Sequence, residues 1–262
     1  MVIVLFGCGG KLPTEKDTSV FNEEQRQIAN QIISIFENDT PVIQYSYAEY
    51  LDDGRGITAG RAGFTSATGD MLEVVVRYTE IAPDNPLAQY IPRLEELAES
   101  EDGSIVSLEG LEENWGKCAE DEIFRNIQDE VVDEYYYIPA TVHAEELGVL
   151  YPLTLLNLYD AIIQHGDGDD LDGLPALIER TILNVGGTPK EGIDESVWLE
   201  EFMNVRRDTL LNPDNQGTQE EWSESVGRVD TLLEIYQRRN YDLSPPILID
   251  TWGRTFTVSG KQ

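Results

Sequence analysis

The sequence predicts an α+β protein, mainly α, with a small β region near the N-terminus, a layout that often gives two lobes with a cleft between them. Two observations lead there. From Thr68 onward apolar residues recur at helical spacing in one segment after another, whereas residues 54–69 are glycine-rich and suit tight turns with short strands. Hydrophobic residues make up 40% of the 262 positions and charged residues 26%, so the chain can bury a core and disorder is not indicated.

The first predicted element starts at Asn22. Asn22 and Gln25 form a capping pair, and Ile28, Ile32, Ile33 and Phe36 make one apolar stripe that ends near Glu37-Asn38-Asp39, before Pro41. Residues 43–47 alternate as a short strand, and 54–69 follow as turns and small strands. Helices are expected over about 69–80, 86–98 (bent at Pro92), 119–136, 139–147 and 152–165. Others are expected over about 174–184, with Pro175 in its first turn, 194–211 and 219–239. Ile247–Thr251 and Thr255–Val258 read as short strands. No internal repeat is visible.

The charge is unusual. Fifty acids against 18 bases give a net charge of -32. Such a field repels nucleic acid and anionic membrane surfaces and attracts polycations. Pairs such as Glu95-Glu96, Glu145-Glu146 and Glu200-Glu201 sit at helix-surface spacing, which assigns most of the charge to a salt-adapted, solvated surface rather than to attraction of a partner.

Two cysteines, Cys8 and Cys118, exclude a disulfide framework. The apolar run at the N-terminus is too short to span a membrane. Its Leu5-Phe6-Gly7-Cys8 segment has the form of a lipoprotein cleavage box, so residues 1–20 read as a signal remnant, with Cys8 as a lipidation candidate, or as a frayed end. Residues 21–262 then form a single domain. The loop Asp167-Gly168-Asp169-Asp170-Leu171-Asp172-Gly173 invites a calcium reading and fails it, because Leu171 and Ile178 occupy ligand positions. No metal or cofactor is expected.

Among 50 acids, two have distinctive settings. Glu37 follows Ile35-Phe36 in the last turn of its helix, where the macrodipole disfavours ionisation, as a general acid needs. Asp53 lies in Asp52-Asp53-Gly54-Arg55-Gly56, where Arg55 favours the ionised form that a general base needs. Composition alone does not separate Asp53 from Asp52.

The run from Tyr45 through Asp52-Asp53-Gly54-Arg55-Gly56-Ile57-Thr58-Ala59-Gly60, continuing through Gly63-Phe64 to Thr68-Gly69-Asp70-Met71-Leu72, resembles the signature of the glycoside hydrolase family 46 chitosanases. Tyr159-Asp160-Ala161-Ile162, Phe202 through Arg206, and Arg228-Val229-Asp230-Thr231 follow in that family's order. The resemblance covers about residues 22–258. It implies a two-lobed, lysozyme-like fold and endo-hydrolysis of β-1,4 links between glucosamine units of chitosan, with inversion. It further implies Glu37 as proton donor, Asp53 as base and Thr58 as holder of the attacking water. Tyr47, Arg55 and Asp70 correspond to substrate-cleft positions, and Asp160, Arg206 and Arg228 to a supporting ion network. A helix-capping role for Asp70 and a packing role for His165 stand beside these. Ile57, Arg61 and Thr65 depart from the pattern, and Arg61 would repel a cationic sugar if it faced the cleft. The expected partners are chitosan and glucosamine oligosaccharides, met outside the cell by a monomer or a Cys8-anchored form. The alternatives are a peptidoglycan muramidase and a non-catalytic acidic surface protein that binds polycations.

Overall fold

The computed structural model describes residues 21–260; the Cys8 segment lies outside the described residues. Helix α1 (Glu23–Asn38) begins as its sequence predicts: Asn22 Oδ1 accepts from Gln25 N and Gln25 Oε1 accepts from Asn22 N, each at 2.9 Å. These two bonds satisfy two of the amide donors that a helix start leaves free. The helix buries Ile28, Ile32, Ile33, Ile35 and Phe36.

The expected strand over 43–47 does not form. Trp115 Nε1 and Gln128 Nε2 donate to the Tyr45 carbonyl at 2.9 and 3.1 Å, and Tyr47 N turns back to Gln44 O. These backbone groups are claimed by helix side chains before a strand can claim them. Pairing starts one residue later, in an antiparallel sheet of β1 (Ala48–Tyr50), β2 (Ile57–Ala59) and β3 (Phe64–Thr65) in that order. Thr58 in the wholly buried middle strand pairs with Glu49 on one side and Thr65 on the other.

Around this sheet pack α2 (Asp70–Ile81), α3 (Ile91–Ser100), α4 (Leu111–Cys118) and α5 (Glu122–Val132). Pro92 does not bend a helix over 86–98. A 3-10 turn at Ala88–Tyr90 comes first, and Pro92 then sits in the first turn of α3, where its missing N–H leaves no bond unmade. Helix α4 escapes the periodicity reading because it is one short stripe, Leu111, Trp115 and Cys118, interrupted by Gly116; all three apolar residues are buried.

A π-helical turn, Asp133–Tyr137, leads from α5 into α6 (Ile138–Leu147) and the second lobe. At its centre lies α7 (Pro152–His165), buried along nearly its whole length. Against α7 pack α1, α6, α8 (Leu174–Val185), α9 (Glu195–Leu211) and α11 (Val226–Gln237). The helix expected over 219–239 is two: α10 (Gln219–Glu224) ends before Ser225, and α11 follows. Buried Glu195 closes the N-terminus of α7, accepting from Leu150 N, Tyr151 N and Thr154 Oγ1 at 2.8–2.9 Å. A carboxylate there satisfies orphan amides and complements the helix dipole. The hairpin of β4 (Ile247–Thr251) and β5 (Arg254–Val258) covers α11 and α1. The molecule is thus mainly helical, with a small sheet-bearing lobe joined to a larger helical one. Among the described residues no helix is long and apolar enough to cross a membrane.

Candidate active site

Glu37 stands in the last turn of α1, at the edge of the helical lobe, with its side chain 37% exposed. Its partner is Arg228 of α11, whose Nη2 donates to Glu37 Oε1 at 2.7 Å. The helix-end setting read from sequence is therefore joined by a guanidinium from 191 residues away.

Behind Arg228 lies a buried chain of charges. Asp160 is fully buried; its Oδ1 accepts from Arg228 Nη2 and its Oδ2 from Arg206 Nη2, both at 2.8 Å. Arg228 also donates to Gln164 Oε1 at 2.5 Å, and Arg206 Nη1 to the Asn157 carbonyl at 3.4 Å. Burial would raise the Asp160 carboxyl, but the guanidiniums of Arg228 and Arg206 outweigh it and hold it below the usual carboxylate range. Burial pulls Arg228 down, and Asp160 and Glu37 more than reverse that. The buried Asp160 carboxylate sits between the guanidiniums of Arg228 and Arg206, and this pairing is how charge survives burial. The structure thus brings Asp160, Arg206 and Arg228 together next to Glu37. Arg228 is not a surface arginine, and of the neighbouring pair Arg207 is the solvated one, paired with Asp230 at 2.8 Å.

The opposite wall is local. Asp53 Oδ2 accepts from Arg55 Nε and Nη2 at 2.9 and 2.7 Å, and its Oδ1 from Arg55 N at 3.0 Å. These side-chain and backbone bonds from Arg55 hold the Asp53 carboxyl below its ordinary range. Asp52 is engaged differently: it accepts from Tyr50 OH at 2.7 Å. The glycine after Arg55 is required. Gly56 has φ +79°, and a Cβ there would fall 2.1 Å from Ser66 Oγ, which itself accepts from Ile57 N and fixes the start of β2.

Between these walls lies a cavity of about 270 Å³ whose lining includes Glu37 and Asn38 on one side and Tyr47, Arg55, Thr58 and Arg61 on the other. Asp53 stands one hydrogen bond beyond it, through Arg55. Thr58 is 6% exposed, and its hydroxyl has no partner among the described residues. A buried hydroxyl in that state is a ready polar anchor for a molecule in the cavity. Tyr47 reaches the same space, with its hydroxyl on Glu49 at 3.1 Å.

Asp70 opens α2. Its Oδ1 accepts from Thr65 N, Thr68 Oγ1 and Met71 N at 2.7–2.9 Å and so pins β3 to that helix. His165 is a packing residue: it lies edge-on to Trp222 with Nδ1 3.1 Å from the Asp172 carbonyl. Burial, then Arg206, hold it well below the usual imidazole range, so it is neutral. In the acidic loop, Asp172 accepts from Asp214 N and Asn215 N, a backbone clamp. Among the described residues no group of three or more His, Cys, Asp and Glu is placed to hold a metal.

Arg61 lines the cavity, but its charge is answered. Its side chain is 5% exposed and pairs with Asp129 of α5. Asn38, Tyr136 and Tyr159 also reach the region around Glu37; Tyr136 lay in no motif, and Asn38 and Tyr159 stood beside Glu37 and Asp160 in the sequence with no role assigned.

The model of Glycosyl hydrolase family 46 matches residues 31–247. A chitosanase of Bacillus subtilis (strain 168) is 50% identical over 226 residues, covering 86% of this chain and 82% of the relative. Among solved structures, the chitosanase of Gynuella sunshinyii in complex with chitotetraose aligns with TM-score 0.80 at 58% identity, covering 91% of this chain and 98% of that one. Native chitosanase from Bacillus subtilis MY002 aligns with TM-score 0.81 at 48% identity over 91% and 99% of the two chains, and a mutant of that enzyme is complexed with 6 GlcN.

Proposed function

The chain belongs to glycosyl hydrolase family 46, and on that premise we propose that it cleaves β-1,4 bonds within chitosan, between glucosamine units, with inversion. One observation carries the reading: Glu37, Arg55 and Thr58 line a single cavity from opposite walls, with Asp53 fixed to Arg55. Glu37 is the general acid that protonates the leaving oxygen. As it loses its proton, Arg228 stands 2.7 Å away to meet the new charge. Asp53, kept ionised by Arg55, takes a proton from the water, and Thr58 anchors that water. The water attacks the face opposite the leaving group, so the two carboxyls act across the sugar rather than on one side of it.

Tyr47 and Arg55 are sugar contacts along the same wall. Asp70 pins its corner through Oδ1, and its second oxygen is the acceptor for a glucosamine ammonium. Relatives that are chitosanases with chitotetraose and 6 GlcN in their structures support the substrate class, and the net charge of -32 suits a cationic polymer. Residues 21–262 act as one catalytic unit, a monomer, on a polymer met outside the cell.

The test follows the anomeric form of products from a glucosamine hexamer by proton NMR. The α anomer must appear first; a β product overturns inversion. Glu37→Gln and Asp53→Asn are each expected to lower kcat by about 10²–10⁴. Sugar release from peptidoglycan but not chitosan would favour a muramidase instead.

A further inference from the structure

Beside Glu37, and sharing Glu37 and Arg61 with the larger cavity, a second and smaller cavity of about 40 Å³ lies among α1, the β2–β3 turn, the π-helical turn and α7. Its apolar lining comes from Ile33, Val132 and Ile163 among others, and its polar lining from Glu37, Arg61, Tyr136 and Tyr159. Tyr159 is fully buried and its hydroxyl makes no hydrogen bond among the described residues. Arg61 is among the charged groups that act on that hydroxyl, and both side chains line the cavity. An unpaired buried hydroxyl is costly, and a buried water needs about 10–15 Å³ and two to four polar partners. The cavity supplies both the room and the partners.

We propose that this cavity is a structural water site, and that Tyr159 and Arg61 act through its water as positioning residues for the Glu37 carboxyl. The proposal rests on Glu37 being the acid. Arg61 can only donate, so it takes a lone pair of the water and turns both of its hydrogens outward. One hydrogen reaches the carboxylate that Glu37 becomes after protonating the leaving group. The other reaches the Tyr159 oxygen. The groups facing Glu37 are then Arg228 from α11, with Asp160 and Gln164 of α7 behind it, Arg61 from the β2–β3 turn, Tyr136 from the π-helical turn, and Tyr159 from α7. Of the three groups on the water, Glu37, Arg61 and Tyr159, Tyr159 is the one whose polar atom can be removed while leaving every charge in place.

Two measurements test it. A high-resolution crystal structure of the wild-type chain must show an ordered water within hydrogen-bond distance of Glu37, Tyr159 and Arg61; continuous density without one overturns the site. Tyr159→Phe must then move the upper pH limb of kcat/KM to higher pH by about half a unit or more, because the water loses the acceptor that holds it in place and with it the ionised acid loses the water's hydrogen, with KM changed less than about twofold. A merely structural tyrosine would lower the melting temperature and leave that limb unmoved, and this result overturns the positioning role. An active Glu37→Gln variant would instead sink the acid assignment itself, whatever the cavity holds.

Discussion

The two walls of the cleft hold their carboxylates by opposite means. Asp53 is held by a residue two positions away, in an open loop, by bonds that form as soon as the loop turns. Glu37 is held by Arg228, and Arg228 by Asp160 and Arg206, so the acid depends on residues from α1, α7, α9 and α11 being packed together. The base wall is a local device and the acid wall a tertiary one. A change to the first should alter chemistry with little effect on folding. A change to the second should alter folding before chemistry can be read.

The most severe way to break this contrast is Asp160→Asn. It leaves two buried guanidiniums without their shared counter-charge and is expected to cost about 3–5 kcal/mol in denaturant unfolding. A loss below about 1 kcal/mol would mean the network does not support the lobe. A smaller effect comes from pH. His165 is buried with its folded pKa well below the ordinary value, so the unfolded chain binds the extra proton. Stability contributed by the neutral ring is present above about pH 6.5 and is lost progressively as pH falls below it. Comparing His165→Asn with wild type by urea titration at pH 5 and 7 isolates that slope, and parallel curves would refute it. The mildest change is Arg55→Ala. Without the donors that depress Asp53, the lower pH limb of kcat/KM is expected to move to higher pH while the melting temperature stays put. A large fall in melting temperature would show that the loop is not local after all.

The same contrast explains what the sequence disclosed. The capping box at Asn22 and Gln25, the glycine turn at Gly56 and the Asp53–Arg55 pair are short-range, and spacing alone suggested each of them. The bond from Arg228 to Glu37 spans 191 residues, and no periodicity encodes it; only the family resemblance brought those positions together. The strand expected at 43–47 failed for the same reason, because Trp115 and Gln128 take the Tyr45 carbonyl from far along the chain. Arg61 was visible as a departure from the family pattern, but its burial against Asp129 was not.

The π-helical turn has a consequence for how this chain tolerates insertion and deletion. The buried stripe of α5 runs through Phe124, Ile127 and Val131. Its continuation at the same spacing would be Tyr135, Ile138 and Val142, and these are exposed. The residues buried in α6 are Ala140, Ala144 and Leu147 instead. The turn thus helps the chain present one face to the sheet lobe and another to the helical lobe without a break in the backbone. A deletion of one residue within Asp133–Tyr137 would advance everything beyond it by about 100°. Such a frame slip would turn α6 away from α7 and carry Tyr136 away from Glu37, which no single side-chain exchange in that segment could do.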